Sequence, residues 1–339
     1  MRDVDIEQET SLVAYLRGGG WIRRGERVCV RVLHGGVSNK TVLVERDGEG
    51  WVLKQALAKL RVPVDWFSDP MRIHREASAL RWLQRLAPQG GVPRLVFEDP
   101  VHHILCMEAV PEPHENWKEK LLSGRVEPAE VKQFALLLSA IHTRSAEQLD
   151  ALRPDFGGRE FFETLRIEPY YLYAAEREPA AASFFQRLVN ETRAVAATLV
   201  HGDFSPKNVL IHQGRMKLLD FEVAHIGDPA FDLGFSLAHL LSKAHHLVEV
   251  RSEFLASATA YWDAYWEVVG EAPFAEDLEE RAVRHACGCL LARVRGRSQL
   301  EYLSDGEKER QAVAVVRLLP GPSTVAGLRD AFAAELGTQ

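Results

Sequence analysis

The chain has 339 residues, of which 46% are hydrophobic and 26% are charged, a composition typical of globular proteins with a sizeable core. Its formal net charge of −7 argues against nucleic-acid binding, for which a basic surface is expected. It has no apolar run near the roughly 18 residues of a membrane span, and its acidic start is unlike a signal peptide. The four cysteines predict buried free thiols and a cytoplasmic location, whereas the oligomeric state stays open.

The first 110 residues are predicted to be rich in strands. A helix over 7–17 precedes three glycines, which often end helices, and a second helix is predicted over 71–86. Alternating hydrophobic residues predict five strands, over 27–33, 41–45, 51–55, 94–98 and 103–107. This part of the chain is therefore expected to form a sheet with few helices.

The rest of the chain is predicted to be mostly helical. Helical periodicity is found over 130–142, 161–178, 181–196, 231–245, 252–269, 278–294 and 307–318. A run of strands followed by a longer run of helices indicates an α+β fold with a small and a large lobe. Because Pro111 and Pro113 interrupt both periodicities, we predict domains over 1–110 and 111–339.

The strongest chemical signal is a pair of polar segments joined by a short hairpin. The first is His201-Gly-Asp-Phe-Ser-Pro-Lys-Asn208 and the second is Asp220-Phe-Glu222. Between them, apolar strands predicted over 209–211 and 216–219 flank the turn Gln213-Gly214. A tight hairpin brings its two ends together, so the polar side chains of both segments are expected to meet.

Three acids and an amide are expected at this meeting point: Asp203, Asn208, Asp220 and Glu222. Clustered carboxylates repel one another unless a cation neutralises them. Hard oxygen ligands favour Mg²⁺ or Mn²⁺, which commonly complete their shells with phosphate oxygens. The alternative is an acidic, solvated turn, which the flanking apolar strands disfavour.

These segments resemble the catalytic loop and the metal-binding aspartate of the protein-kinase-like fold. Without an arginine between its histidine and aspartate, the loop is similar to those of aminoglycoside phosphotransferases, choline kinases and methylthioribose kinases. The resemblance implies that Asp203 is the catalytic base and that Asn208 and Asp220 hold Mg²⁺. It further implies that His201 and Asp232 support the loop. ATP and Mg²⁺ would be the cofactors, and a small molecule with a hydroxyl group the acceptor.

Lys54 and Glu76 add independent support from the first lobe. Lys54 lies in the middle of a predicted strand, and Glu76 occupies the apolar face of the helix over 71–86. A strand lysine followed by a helix acid matches the kinase pair that orients the α- and β-phosphates, although a structural ion pair is the alternative. By this resemblance residues 1–110 form the nucleotide-binding lobe and residues 111–339 the catalytic and substrate-binding lobe.

The resemblance also implies a set of nucleotide contacts. A glycine loop between the first two strands would cradle phosphate with its backbone N–H groups, although a plain hairpin turn is the alternative. Its predicted contacts are Gly35, Gly36, Ser38 and Asn39. The exit of the last strand resembles the kinase hinge. Met107 would lie behind the adenine, and the backbones of Glu108 and Val110 would hydrogen-bond to it.

Three residues bear on the identity of the acceptor. Glu222 resembles an acid of choline and methylthioribose kinases and is predicted to be a further metal ligand. Trp66 resembles a tryptophan-bearing loop of methylthioribose kinases, and Arg293 matches an arginine on a late helix that contacts the sugar. The adjacent second arginine of that family is missing here. The alternatives are packing for Trp66 and favourable placement at a helix C-terminus for Arg293.

We therefore predict a phosphotransferase that moves the γ-phosphate of ATP to a sugar or nucleoside-derived metabolite. A choline or amino-alcohol kinase and an aminoglycoside kinase are alternatives within the same chemistry. A nucleotide-binding pseudokinase is the alternative outside it. No nucleic-acid or membrane partner is expected. The segment 57–70, with Trp66 and Phe67, is either a lid over the nucleotide or a packing element.

Overall fold

A five-stranded antiparallel sheet, in the order β1-β2-β3-β5-β4, forms the first part of the chain. The computed structural model describes residues 4–33, 36, 38–46, 48–62 and 65–337. The strands of the sheet are β1 (Val28–Val32), β2 (Asn39–Arg46), β3 (Glu49–Ala56), β4 (Leu95–Asp99) and β5 (Ile104–Glu108). All five predicted strands are therefore present.

Each face of this sheet is covered by one helix, α1 (Glu9–Gly18) or α2 (Arg72–Leu86). Successive side chains of a strand point to opposite faces. In β3, Leu53 packs in the cluster that contains α1, whereas its neighbour Lys54 contacts Glu76 of α2. The alternation therefore places the lysine on the side of the sheet that the second helix covers.

The remainder of the chain is mainly helical, and its short strands position the polar segments. Its helices are α3 (Trp117–Leu122), α4 (Pro128–Ala146), α5 (Leu149–Phe156), α6 (Glu160–Phe162), α7 (Tyr173–Arg177), α8 (Ala182–Ala194), α9 (Pro229–His246), α10 (Arg251–Val269), α11 (Leu278–Arg295), α12 (Asp305–Leu318) and α13 (Val325–Gly337). Its strands are β6 (Glu115–Asn116), β7 (Thr198–Val200), β8 (Val209–His212), β9 (Arg215–Leu218) and β10 (His225–Gly227). The expected α+β class with a strand-rich first part and a helical second part is confirmed.

Helix α9 is the centre of the helical part, and residues 229–245 are all buried. It crosses α11 closely at Gly234, where a Cβ atom would lie 2.4 Å from Cβ of His285. Only glycine fits this approach, so a side chain here would push the two helices apart. The crossing fixes α11, and with it Arg293, relative to the loop that carries Asp203.

The structure contains several elements that were not predicted, among them the short strands β6, β7 and β10. Helices α3, α5 and α13 were not predicted, because α3 and α5 are too short for periodicity to identify them and α5 contains Pro154. The single helix predicted over 161–178 is wrong, since residues Glu163–Leu172 form a π-helix that contains Pro169. A proline lacks the N–H that a regular α-helix would use at this point.

Two predictions made from the composition can also be compared with the structure. No helix among the described residues is long and apolar enough to cross a membrane. All four cysteines are free, but Cys29 is exposed, so the expectation that every thiol is buried is wrong. Cys29 lies on the edge strand β1, where alternate side chains face solvent.

Candidate active site

A cleft of about 2110 Å³ lies between the five-stranded sheet and the helical part. Lys54 of β3 and Met107 of β5 line it from one side. Asp203, Asp220 and Arg293 line it from the other. The residues that the sequence singled out in separate parts of the chain thus face one shared space.

The Lys54 ammonium joins two carboxylates across this cleft. Its Nζ atom lies 2.7 Å from Oε1 of Glu76 and 2.9 Å from Oδ1 of Asp220. Lys54 and Glu76 are buried, while 26% of the Asp220 side chain is exposed. The expected pairing of strand lysine and helix acid is present, and it extends to the second polar segment.

This network shifts the pKa values of its members in directions that burial and charge explain. Burial opposes the charged form of Lys54, but Asp220 and Glu76 outweigh it and raise the pKa of the lysine. Burial likewise opposes ionisation of Asp220, but Lys54 and Lys207 hold the pKa of Asp220 far below its usual value. Burial raises the pKa of Glu76, which Lys54 opposes. The arrangement therefore keeps Lys54 charged and Asp220 ionised.

Asp203 is held by three donors on one carboxylate oxygen. Its Oδ2 atom lies 2.9 Å from Nδ2 of Asn208, 2.9 Å from Nζ of Lys207 and 3.1 Å from Nη2 of Arg166. Its Oδ1 atom is buried and has no hydrogen-bond partner among the described residues. Burial opposes ionisation, but Arg166 and Lys207 lower the pKa of Asp203. The result is an ionised carboxylate with one oxygen fixed and one free.

The loop that carries Asp203 is held in place by hydrogen bonds to Asp232, His201 and Leu219. Asp232 at the start of α9 accepts hydrogen bonds from the backbone N–H groups of His201 at 2.7 Å and Gly202 at 2.8 Å. Nδ1 of His201 accepts from the Asp203 N–H at 3.1 Å, so its Nε2 carries the proton and donates to the Leu219 carbonyl at 3.1 Å. Burial lowers the pKa of His201, which keeps the ring neutral.

A left-handed backbone is needed at two positions of this region. Gly202 has a φ of 78°, and a Cβ atom there would lie 2.7 Å from Cγ1 of Val223. Asp220 has a φ of 72°, which is uncommon for a residue with a side chain. Such conformations cluster at functional sites, because they orient groups that a regular strand would direct elsewhere.

The polar side chains of the two segments, Asp203, Asn208, Asp220 and Glu222, all line the cleft. Strands β8 and β9 form the expected hairpin around Gln213-Gly214. Among the residues that the structure describes, however, no three Asp, Glu, His or Cys side chains could jointly hold a metal. Glu222 instead accepts from Nδ2 of Asn39 at 3.1 Å and from Nε of Arg72 at 3.0 Å. Its predicted role as a metal ligand stays a prediction.

Arg72, which the sequence analysis missed, ties Glu222 to the glycine loop. This fully buried side chain donates to the backbone carbonyls of Leu57 at 2.9 Å and of Ser68 at 3.1 Å. It also donates to the Ser38 carbonyl. One guanidinium thus joins α2, the second polar segment and the base of the loop. Its position four residues before Glu76, on the same helix face, was the available signal.

The expected nucleotide contacts fall at the cleft as far as they are described. Gly36, Ser38, Asn39, Met107, Glu108 and Val110 line it, whereas Gly35 lies outside the described residues. Asn39 is buried against Glu222, so its side chain already has a partner within the protein. The N–H of Glu108 donates to the Arg94 carbonyl at 2.9 Å.

The predicted acceptor contacts are both buried at the cleft. Nε1 of Trp66 donates to the Thr164 carbonyl at 3.1 Å, so the indole packs against the helical part. Phe67, by contrast, is 61% exposed. Arg293 donates from Nη1 to the Tyr170 hydroxyl at 3.1 Å and to Oγ of Ser298 at 2.8 Å. These contacts go beyond a favourable charge at the end of a helix.

Sequence reasoning also missed Arg166, Tyr170 and Lys207, all of which line the cleft. Lys207 forms an ion pair with Asp203, although 44% of its side chain is exposed. The spacing of four residues between Asp203 and Lys207 could have indicated this pair. Arg166 and Tyr170 are also four residues apart, but they lie on a π-helix, which periodicity could not predict.

Comparison with known proteins identifies the family of this chain. Residues 30–271 match the model of the phosphotransferase enzyme family that is abbreviated APH. The methylthioribose kinase of Pectobacterium atrosepticum is 25% identical over 215 residues, which cover 56% of this chain and 53% of that protein. The chain thus spans about half the length of the curated relatives it matches.

Solved structures with the same fold extend over nearly the whole chain. An ADP-bound aminoglycoside phosphotransferase, APH(2'')-Ib, has a TM-score of 0.53 at 15% identity, covering 95% of this chain and 99% of its own. A choline/ethanolamine kinase family protein from Mesorhizobium loti has a TM-score of 0.54 at 13% identity, covering 98% and 100%. The protein-kinase-like fold is therefore confirmed, and the chain belongs to the phosphotransferase enzyme family.

Proposed function

We propose that this protein is a kinase that uses ATP and Mg²⁺ to phosphorylate a hydroxyl group of a small molecule. The observation that carries the proposal is the state of Asp203. Three donors hold its Oδ2 atom, while Oδ1 is buried at the cleft without a partner. A fixed, ionised carboxylate with one free oxygen is suited to orient a hydroxyl group and accept its proton.

The other residues of the cleft have complementary tasks in this proposal. Lys54, held by Glu76 and Asp220, would bind the α- and β-phosphates, and the γ-phosphate would then lie near Asp203. Oδ1 of Asp203 would take the proton as the acceptor oxygen bonds to phosphorus and ADP leaves. His201 and Asp232 would keep the loop in place. Catalysis would consist mainly of positioning and charge stabilisation.

The residues near Asp220 fit a magnesium ion. Nδ2 of Asn208 donates to the backbone and the side chain of Asp203, both at 2.9 Å, which leaves its amide oxygen for a metal. Together with the partly exposed Asp220 this supplies the few hard oxygens that Mg²⁺ uses beside phosphate. When bound, the ion would neutralise phosphate charge.

The nucleotide and the acceptor would occupy different ends of the cleft. We call the part around Lys54, Asp220 and Met107 the nucleotide end, and the part around Arg166, Asp203 and Arg293 the acceptor end. In this proposal residues 1–110 bind the nucleotide, with Glu108 and Val110 contacting adenine, and residues 111–339 carry the catalytic and acceptor groups.

A sugar or nucleoside-derived metabolite is the acceptor class that the resemblance to methylthioribose kinases supports. Trp66 and Arg293 would contact it. Four arginines and lysines (Arg166, Lys207, Arg293 and Arg297) line this part of the cleft, which disfavours the cationic acceptors choline and aminoglycosides. The buried free thiols Cys106, Cys287 and Cys289 support the proposed cytoplasmic location.

The test is ADP release by the full chain with Mg²⁺ and ATP across a panel of sugars, methylthioribose, choline and aminoglycosides. We expect acceptor-dependent ADP release together with a phosphorylated product identified by mass spectrometry. Nucleotide binding without transfer to any acceptor would favour the pseudokinase alternative. Absence of nucleotide binding would contradict both.

A further inference from the structure

Cations outnumber carboxylates among Arg166, Lys207, Arg293 and Asp203 at the acceptor end of the cleft, where both arginines are buried and 44% of the Lys207 side chain is exposed. Arg166 and Lys207 share a single carboxylate, that of Asp203, at 3.1 and 2.9 Å. Arg293 is 7% exposed, lines the cleft and has no carboxylate partner among the described residues. Its Nε atom is buried without any hydrogen-bond partner there. The acceptors of its Nη1 atom, the Tyr170 hydroxyl and the carbonyl and hydroxyl of Ser298, are all neutral, and a charge buried among neutral groups favours an added counter-charge.

Tyr170 marks the centre of this cationic region. The guanidinium carbons of Arg166 and Arg293 lie 5.4 and 5.6 Å from the centroid of its ring. Burial would raise the pKa of Tyr170, but the charges of Arg293 and Arg166 outweigh it and lower the value. The tyrosine hydroxyl thus experiences a positive field within a cleft that is open to a ligand.

Two further basic side chains, Lys243 and His239, are buried on helix α9 near Arg293. Lys243 of α9 is fully buried, and its Nζ atom lies 3.4 Å from the His239 carbonyl. No carboxylate pairs with it among the described residues. Burial, with the nearby charges of Lys118 and Arg293, lowers the pKa of Lys243 to about 7. The Nε2 atom of His239 is likewise buried and unpartnered in the described part of the chain.

We propose that the phosphate acceptor carries an anionic group, a carboxylate or a sulfate- or phosphate-like oxyanion, and that Arg293 binds it at the acceptor end. The proposal rests on the proposed function and names its acceptor class. Arg293 offers an unpartnered N–H next to a cleft, and Arg166 and Lys207 add charge beside it. Guanidinium groups match oxyanions in geometry as well as charge.

Such an acceptor differs from methylthioribose, which has no charge, and from choline and aminoglycosides, which are cationic. Arg293, which the family resemblance assigned to sugar recognition, would therefore recognise the negative charge of the acceptor. Lys207, beside Asn208, could also reach the transferred phosphate, but Arg293 donates to Tyr170 and Ser298 instead. The binding experiment must therefore be done with the γ-phosphate position occupied, so that the added anion cannot bind there.

The experiment titrates sodium sulfate into the full chain saturated with Mg²⁺ and the β,γ-imido analogue of ATP. Calorimetry is carried out at constant ionic strength with sodium chloride, and dimethyl sulfone serves as the uncharged probe. We expect saturable sulfate binding and none of the sulfone. Arg293→Gln should weaken sulfate binding at least about tenfold, since one charge-assisted hydrogen bond is lost, and Arg293→Lys should weaken it less.

Arg295→Gln is the matched control, because Arg295 lies on the same helix but pairs with Glu178 and Glu309 outside the cleft lining. It should bind sulfate as the wild type does. Absence of saturable sulfate binding to the wild type, or equal binding by folded Arg293→Gln, would overturn the proposal.

A kinetic comparison separates this proposal from the function on which it rests. ADP release is measured with glycerate and gluconate, with their uncharged counterparts glycerol and glucose, and with choline. A higher kcat/KM for any neutral or cationic member overturns the anionic acceptor but leaves the kinase. If the imido analogue does not bind, the proposed function fails, and sulfate titration without nucleotide still tests the cationic site.

Discussion

The nucleotide end and the acceptor end of the cleft balance their buried charges differently. At the nucleotide end, Lys54 lies between Glu76 and Asp220, and each ionic group has a partner within 2.9 Å. At the acceptor end, Asp203 is the shared partner of two cations, while Arg293 has no carboxylate partner among the described residues. The nucleotide end thus has two carboxylates around one lysine, whereas the acceptor end has more cations than carboxylates.

The difference shows how one cleft can hold a fixed cofactor site beside a selective acceptor site. Paired charges lose little of their geometry when the ligand is absent, so the nucleotide end is pre-organised. Unpaired charges favour a ligand of the opposite sign and disfavour others, which is a source of specificity. Changes at the two ends should therefore affect different measured quantities.

The largest effect is expected for Asp203→Ala, which removes the free carboxylate oxygen where both ends meet. Loss of the proposed base should lower kcat about 10³-fold, or roughly 4 kcal/mol of transition-state stabilisation. Nucleotide affinity should change little, because Lys54 and Asp220 remain. Turnover assays measure kcat, and calorimetry measures the affinity for ATP. The control is Asp263→Ala on the exposed face of α10. Turnover near the wild-type value would refute the assignment of the base.

Arg72→Met should be the most destabilising change near the nucleotide end. It leaves the buried Glu222 carboxylate without its cation and frees the carbonyls of Leu57 and Ser68. Breaking a buried pair costs about 3–5 kcal/mol. Chemical denaturation measures the loss.

A matched control for Arg72→Met lies on the same helix. Arg81→Met removes a half-exposed partner of Glu98 and should cost less than about 1 kcal/mol. The double variant Arg72→Met/Glu222→Leu should recover part of the stability. An undiminished free energy of unfolding in Arg72→Met would show that Arg72 is not needed to hold this segment.

Trp66→Ala should also lower stability, because the structure favours packing over a lid for the indole. Deleting a buried aromatic side chain costs about 3 kcal/mol or more. Phe67→Ala, which alters the exposed neighbour, should stay within about 1 kcal/mol. Thermal melts and the acceptor KM of both variants decide between the two readings of the segment. An unchanged melting temperature with a raised acceptor KM for Trp66→Ala would restore the lid.

Asp220→Ala and Asn208→Ala should raise the Mg²⁺ concentration needed for ATP binding by at least about tenfold. Their oxygens are the proposed metal contacts at the nucleotide end. Titrating Mg²⁺ at fixed ATP gives the apparent affinity, and Arg293→Lys at the acceptor end should leave it unchanged. If neither variant alters the requirement, the metal lies elsewhere.

The smallest predicted effect is a pH dependence of stability caused by Lys243. Its folded pKa of about 7 lies below the ordinary value of 10.5, so the unfolded chain binds more protons between these values. The destabilisation is complete below pH 7 and fades as pH rises. From pH 7 to pH 8 the wild type should gain about 1 kcal/mol relative to Lys243→Met. Parallel stability curves for the two proteins would show that Lys243 does not titrate in this range.

The sequence predicted the elements with clear periodicity and the residues with rigid spacing. The strands β1 to β5, the α2 helix and the hairpin of β8 and β9 were all predicted, since alternation and turn residues act locally. Asp203 and Asn208 are close in sequence, so their contact could be expected from the loop alone. The short helices α3 and α5 could not be identified, because fewer than about ten residues carry too little periodicity.

Partners that are distant in the chain were decided by the tertiary structure. Glu222 was expected beside a metal and lies against Arg72, 150 residues away. Lys207, whose side chain is 44% exposed, pairs with Asp203. A sequence shows which side chains carry charge, but not which of them share a buried volume. The free energy of a buried charge depends on its neighbours in space.

The sequence by itself determined the α+β class, the family motif around Asp203 and the pairing of Lys54 with Glu76. These depend on local periodicity and on residue types that chemistry restricts. The surplus of cations around Arg293 was decided only by the tertiary structure. It arises because the π-helix Glu163–Leu172, α9 and α11 meet there, and long-range packing brings their charges into one low-dielectric space that no local pattern encodes.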